Sequence, residues 1–176
     1  MKKILAFAGS TSSTSINKKL VTYAAKNLKN TTYDIIDLRD FELPIYSIDT
    51  EKENGFPTDV ISFTNLLDNY DGFAISLAEH NGSYAAAFKN IFDWSSRINN
   101  KVFRNKPILL MAASPGGRGG KSVIEAAVSR FPRNGAGEIV SFSLPNFSDN
   151  FKNEELVEED FKKQLFDGIQ KFEKLI

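Results

Sequence analysis

Five short, almost unbroken apolar runs recur along this chain, each followed by a longer stretch with helical spacing. That alternation limits the fold more than any other feature. The runs are Ile4–Ala8, Tyr33–Leu38, Gly72–Leu77, Pro107–Ala113 and Glu138–Leu144. A strand apolar at consecutive positions is covered on both faces, as in a parallel sheet clad by helices. Between the runs, Ile16, Leu20 and Ala24 mark one helical stripe, and Val60, Phe63, Leu67 and Tyr70 another. Phe161, Leu165, Ile169, Phe172 and Ile176 mark the last. This order predicts a doubly wound α/β domain over residues 1–176, a three-layer sandwich. Right-handed crossovers give its five parallel strands the order 2-1-3-4-5. The acidic run from Glu154 to Asp160 reads as favourable charge around the start of the last helix. Phe41–Pro57 reads as one long surface connection.

Ligands of such a sheet bind beyond the carboxyl ends of the strands, where the winding reverses. The segments after the first, third and fourth strands are therefore the candidate site, and they are rich in Gly, Ser and Asn. The first reads Gly9-Ser10-Thr11-Ser12-Ser13-Thr14-Ser15-Ile16-Asn17 and opens a helix. Helix N-terminal amides and neutral hydroxyl donors suit a phosphate. A polar turn with a serine N-cap accounts for the same residues. Neither Gly-x-Gly-x-x-Gly nor a Walker A loop is present.

The second segment reads Ala78-Glu79-His80-Asn81-Gly82-Ser83-Tyr84, where Asn-Gly permits left-handed backbone and a close approach to a flat ligand. Ordinary turn chemistry also explains it. The third, Ser114-Pro115-Gly116-Gly117-Arg118-Gly119-Gly120-Lys121-Ser122, offers bare backbone amides to an aromatic face. Its Gly120-Lys121-Ser122 ends like a Walker A loop, but Pro115 stands where that loop needs its first glycine. Arg118 is a solvated loop residue or a candidate partner for phosphates.

In the helix after the second segment, Ala87, Ile91 and Trp94 form one apolar stripe and Phe88 and Phe92 a second. Burial on two faces implies a homodimer, with Lys89, Asn90 and Asp93 beside the seam. A wide core-facing helix in a monomer is the alternative.

The chain has no cysteine and one histidine, His80, which excludes disulfides, thiolate metal sites, Fe–S clusters and sulfur-linked flavin. Redox chemistry here needs a borrowed cofactor. Lys+Arg and Asp+Glu balance at 22 each, so no global field favours nucleic acid or an anionic membrane. Ile4–Ala8 is too short for a signal-peptide core, and no apolar stretch reaches membrane-spanning length. The reading is cytoplasmic.

Together the three segments resemble the NADPH-dependent FMN reductase family, which has the flavodoxin-like fold and includes azo-, quinone- and chromate-reducing flavoproteins. Gly9, Ser10, Ser12, Ser15, Asn17 and Leu20 occupy its first motif, Gly-Ser-x-Arg-x-x-Ser-x-Asn followed by leucine. Glu79, Asn81, Gly82 and Ser83, then Lys89-Asn90 and Asp93-Trp94, follow its second. Ser114 to Gly120 match its third, Ser-Pro-Gly-Gly-x-Gly-Gly.

By that resemblance, Ser10, Ser12, Ser15, Ile16 and Asn17 hold the phosphate of a non-covalent FMN. Glu79, His80, Asn81 and Gly82 line the isoalloxazine, and Ser114, Gly116 and Gly117 close over its other side. The resemblance further implies NADPH or NADH as cosubstrate, a small-molecule acceptor, and a homodimer or homotetramer. It implies no metal and no indispensable catalytic side chain. Nicotinamide and acceptor sharing one flavin face predicts ping-pong kinetics. Three positions depart from the family: Ser12 replaces an arginine, Ala78 a proline and His80 a tyrosine. The first removes a bidentate phosphate partner, and the last puts a titratable ring beside the expected flavin. The other readings are an electron-carrier flavodoxin without a pyridine-nucleotide site, and a cofactor-free interaction module. Balanced charge argues against the former; the lost arginine is the best support for the latter.

Overall fold

The computed structural model describes residues 1–176. Its central parallel sheet is built from β1 (Lys3–Gly9), β2 (Thr32–Ile36), β3 (Gly72–Leu77), β6 (Lys106–Ala113) and β7 (Ala136–Leu144). The strands lie side by side as β2-β1-β3-β6-β7, the predicted 2-1-3-4-5 order. Ile4, Ala6 and Ala8 of β1 enter one core, while Leu5 and Phe7 enter the other. A continuous apolar run is what a strand needs when alternate side chains face two separate cores.

Helices α1 (Ile16–Lys26) and α7 (Glu159–Glu173) cover the first face, contributing Leu20, Ala24, Leu165, Ile169 and Phe172. On the second lie α3 (Thr58–Asp68), α4 (Ala86–Ile98) and α5 (Lys121–Arg130), with Phe63, Phe88, Phe92 and Val123 facing in. No helix of the structure is long and apolar enough to cross a membrane.

The second strand ends earlier than its apolar run: residues 38–40 form a 3-10 turn that Asp37 caps by accepting from the Arg39 amide. The segment 41–57 is not one loop, because Ile48–Asn54 forms α2. This helix buries no residue and so leaves no apolar stripe to read. It is marked instead by its ends, the Ser47 cap accepting from Thr50 N–H and Gly55 at φ 71°.

The acidic run is divided. Asn153 and Glu154, both at positive φ, turn the hairpin of β8 (Phe151–Lys152) and β9 (Glu155–Leu156), which follows the short helix α6 (Phe147–Asn150). Glu158 caps α7 by accepting from Phe161 N–H.

Both apolar stripes of α4 are buried within this one chain. Phe88, Ile91 and Phe92 join the core, and Trp94 is covered by the segment between β2 and α3. Its indole N–H donates to the Pro44 carbonyl at 2.9 Å, and the Tyr46 ring meets it edge-on at 5.0 Å. Asn90 clamps the same segment, donating to the Pro44 carbonyl and accepting from Tyr46 N–H. The second face of α4, assigned from sequence to a dimer seam, is covered here by residues 43–46 of the same chain. A one-dimensional reading cannot tell a partner's surface from a distant loop of the same chain.

Candidate functional site

The register places three loop entrances next to one another. Gly9 at the end of β1 lies opposite Leu77 at the end of β3, and Leu77 lies opposite Ala112 near the end of β6. Residues 10–17, 78–84 and 114–120 thus leave the same edge of the sheet. Thr11–Thr14, His80–Ser83 and Pro115–Arg118 are all exposed, so together they form an open shelf. A cavity of about 680 Å³ lies elsewhere, between β7, α5 and α7, and reaches the shelf at Gly117.

The first loop is folded by its own hydroxyls. Ser10 Oγ accepts from Ser12 N–H, Ser12 Oγ from Thr14 N–H, and Ser15 Oγ caps α1 by accepting from Lys18 N–H. The amides of Ile16 and Asn17, the first two of α1, donate to no atom of the chain. They carry the positive end of the helix dipole into the loop. Lys18 is the one basic side chain among residues 9–18, and it is paired with Asp37. The Arg39 guanidinium and then Lys18 hold the Asp37 carboxyl well below the usual carboxylate range. An anion here meets amides and hydroxyls rather than a free cation.

Asn17 is the loop residue whose side chain does something the motif reading did not anticipate. It is turned into the protein, 3% exposed. Its Oδ1 accepts from Ala113 N–H at 2.8 Å and from Ser76 Oγ at 2.7 Å, while Nδ2 donates to the Ala113 carbonyl at 3.2 Å. One amide thereby ties α1 to β3 and β6. Its backbone N–H remains the part available to a phosphate.

Residues Glu79–Tyr84 form a hairpin of β4 (Glu79–His80) and β5 (Ser83–Tyr84). Asn81 at φ 52° and Gly82 at φ 75° supply the two left-handed positions of a type I′ turn. The Asn81 and Gly82 amides are unused within the chain, and the exposed His80 side chain makes no hydrogen bond. The Glu79 carboxylate points away from the tip and accepts from Val123 N–H at 3.0 Å. Tyr84 stacks on Phe131 and tilts against Phe88, and burial pushes its phenol up to about 12. That hydroxyl is buried without a hydrogen-bond partner, so Tyr84 holds the hairpin through its ring rather than through its phenol.

In the third loop, Ser114 Oγ, Asn146 N–H and Gly119 N–H all donate to the Gly116 carbonyl. Ser114 is spent on this turn, its N–H donating to Leu144 and its carbonyl accepting from Phe147. The glycines divide into two kinds. A Cβ at Gly119 or Gly120 would strike the ends of β7 and β6, whereas one at Gly116 meets nothing within 4 Å. The Gly116 and Gly117 amides are free. Arg118 is exposed and donates to Ser122 Oγ at 3.1 Å, within the same loop and helix start. Asn146, absent from the motif reading, is left-handed at φ 45° beside Gly117. The signal for it is only a lone asparagine following Pro145.

The shelf thus presents free amides from three loops, hydroxyls at one end, an exposed imidazole at His80 and one exposed guanidinium at Arg118. This donor set fits FMN: helix-start amides and hydroxyls for the phosphate, turn amides for ring carbonyls and nitrogens, and glycines that permit flat contact.

Residues 2–149 match the family described as NADPH-dependent FMN reductase. The chain is 34% identical over 79 residues to a quinone reductase of Escherichia coli, covering 45% of this chain and 42% of that protein. It is 31% identical over 125 residues to a probable NADPH:quinone oxidoreductase of rice (Oryza sativa subsp. japonica), covering 68% of this chain and 62% of that one. The alignments therefore span less than two thirds of either relative. In three dimensions the chain superposes on a flavoenzyme NAD(P)H:(acceptor) oxidoreductase of Paracoccus denitrificans with TM-score 0.77 at 21% identity, covering 99% of this chain and 97% of that one. That likeness shows the flavodoxin-like fold.

Proposed function

We propose that this chain, which belongs to the NADPH-dependent FMN reductase family, binds FMN non-covalently on the three-loop shelf. There it passes reducing equivalents from NADPH or NADH to a small acceptor such as a quinone. The observation that carries this reading is the convergence of unused amides of Ile16, Asn17, Asn81, Gly82, Gly116 and Gly117 at one sheet edge. FMN bound there supplies the hydride and electron transfer.

The chain's own residues hold and orient. Ser10, Ser12 and Ser15 offer hydroxyls, and Ile16 and Asn17 offer helix-start amides, to the phosphate. The Asn81-Gly82 turn and the Gly116-Gly117 peptides would hold the ring, and their free N–H groups would favour negative charge on it. No side chain on the shelf is set up as an obligatory acid or base, since Glu79 is engaged with Val123 and His80 stands in solvent. An exposed shelf visited in turn by nicotinamide and acceptor gives parallel initial-rate lines.

The test is an absorption spectrum of the purified chain with FMN, before and after anaerobic NADPH or NADH. A bound-flavin spectrum that bleaches with either nucleotide is expected. A chain that takes up no FMN sinks the reading, and one that binds FMN but does not bleach is a flavin carrier instead.

Gly116→Ala separates site from scaffold. With nothing within 4 Å of the new methyl and no positive φ to relieve, thermal stability should shift by at most about 0.5 kcal/mol. The methyl would enter the space assigned to the ring and weaken FMN binding roughly tenfold, the scale of an overpacked contact. Calorimetric titration with FMN measures it; unchanged affinity would place the ring elsewhere.

A further inference from the structure

We propose that Glu79 is a positioning residue that fastens the Asn81-Gly82 hairpin to the first turn of α5, into which the third loop runs, so that the two walls of the shelf move as one body. This rests on the FMN reading above for its functional consequence, but the fastening itself belongs to the chain alone.

Helix α5 starts without a cap of its own. Its N-cap residue is Gly120, left-handed at φ 73° and bearing no side chain. An uncapped helix start leaves amides unpaired. Here Val123 N–H finds its partner 44 residues earlier, in Glu79 Oε2 at 3.0 Å. A carboxylate at this end of a helix is doubly suited, as acceptor and as counter-charge to the dipole. A serine or aspartate at position 120 could do that locally. The steric reason it does not is the Ala112 side chain, 2.6 Å from where a Cβ at Gly120 would stand. Close packing of the third loop on β6 therefore forces the cap to come from outside.

The donor of that cap sits beside the most exposed part of the shelf. Glu79 immediately precedes His80-Asn81-Gly82, and the ladder it belongs to has only two residue pairs, Glu79–Tyr84 and His80–Ser83. A ladder this short does not hold itself. Its closure depends on Ala85 N–H donating to the Ala78 carbonyl, on Tyr84 packing against Phe131 and Phe88, and on the Glu79 carboxylate. The Glu79–Val123 bond is the one hydrogen bond joining residues 78–84 to residues 114–124. Breaking it leaves the hairpin held by the Ala85–Ala78 bond and the Tyr84 packing, with no hydrogen bond to the start of α5.

The test compares wild type, Glu79→Ala and Glu79→Gln as full-length protein. Amide hydrogen exchange is followed first without flavin. In Glu79→Ala, exchange at Val123 and at Ala85 should rise together, roughly five- to tenfold as for loss of a helix cap, with Phe172 in α7 unchanged. Glu79→Gln keeps an acceptor oxygen and should restore most of the protection at both. Exchange rising at Val123 alone would make Glu79 a simple helix cap and overturn the proposal, as would no change at either. Should Glu79→Ala fail to fold, the same pair of amides is read in Glu79→Gln, where loss of the charge predicts a smaller joint rise and independent behaviour again overturns it.

Flavin affinity is the second readout. Glu79→Ala should weaken FMN and riboflavin by the same factor, because the loosened wall faces the ring and not the phosphate. Loss confined to FMN contradicts the assignment. Wild type that binds neither flavin defeats the proposed function, while the exchange result still decides the fastening.

Discussion

Asn17→Ala is expected to lower the melting temperature by roughly 10 °C. The side chain is buried, and three partners lose their match at once: the Ala113 N–H, the Ala113 carbonyl and the Ser76 hydroxyl. Ser76 is 0% exposed and Ala113 2%, so water does not reach them readily. A buried polar group left unpaired costs about 1–3 kcal/mol, and three sharing one small space total about 3–5 kcal/mol. For a chain of this size each kcal/mol moves the midpoint by about 2–4 °C. Thermal unfolding followed by circular dichroism measures the effect. A shift below about 2 °C would mean that the three strand-end groups re-pair without the amide. Ser76→Ala removes one partner from the same oxygen and should cost roughly 1 kcal/mol, which checks that the network and not general crowding sets the scale.

Gly119→Ala should be nearly as damaging, for a different reason. The residue sits at φ 62°, and an added Cβ would lie 2.3 Å from Ser143 Oγ, 2.9 Å from Pro145 N and 3.1 Å from the Leu144 carbonyl carbon. The serine hydroxyl could rotate away, at the expense of its 2.9 Å bond to the Gly119 carbonyl. The two backbone atoms cannot rotate away, because they end β7. Left-handed strain of about 1–2 kcal/mol and overpacking of about 1–3 kcal/mol add to roughly 3 kcal/mol. Equilibrium urea denaturation should show the midpoint falling with an unchanged slope. A variant as stable as wild type would show that the third loop can lift off the sheet. Gly119→Ala and Gly116→Ala thus probe one loop in opposite senses, since the first disturbs the scaffold and the second the space in front of it.

Much of the candidate site was readable because its residue types are specific to the backbone they make. Asn-Gly calls for left-handed conformations, and Asn81 and Gly82 adopt them. A serine before an apolar helical stripe is a cap, and Ser15 caps α1. What could not be read was direction. Asn17 and Glu79 stand in motifs that point to a ligand, yet the structure turns both side chains to other parts of the protein. Their partners, Ala113 and Val123, are ordinary apolar residues engaged through backbone amides, and a backbone amide leaves no mark in a sequence. The helix at Ile48–Asn54 escaped for the complementary reason, since a helix that buries nothing has no periodicity to show.

The order of the strands, the two-sided burial of the sheet and the gathering of three polar loops at one edge were determined by the sequence itself. They follow from local quantities: apolar run length, helical spacing, and the fixed hand of crossovers. Tertiary structure alone decided which groups on that edge remain free and which are consumed in holding it together. It also decided that the second face of α4 is closed by residues 43–46 of the same chain. Those choices depend on hydrogen bonds and contacts between residues tens of positions apart, and their geometry exists only once the chain has closed on itself.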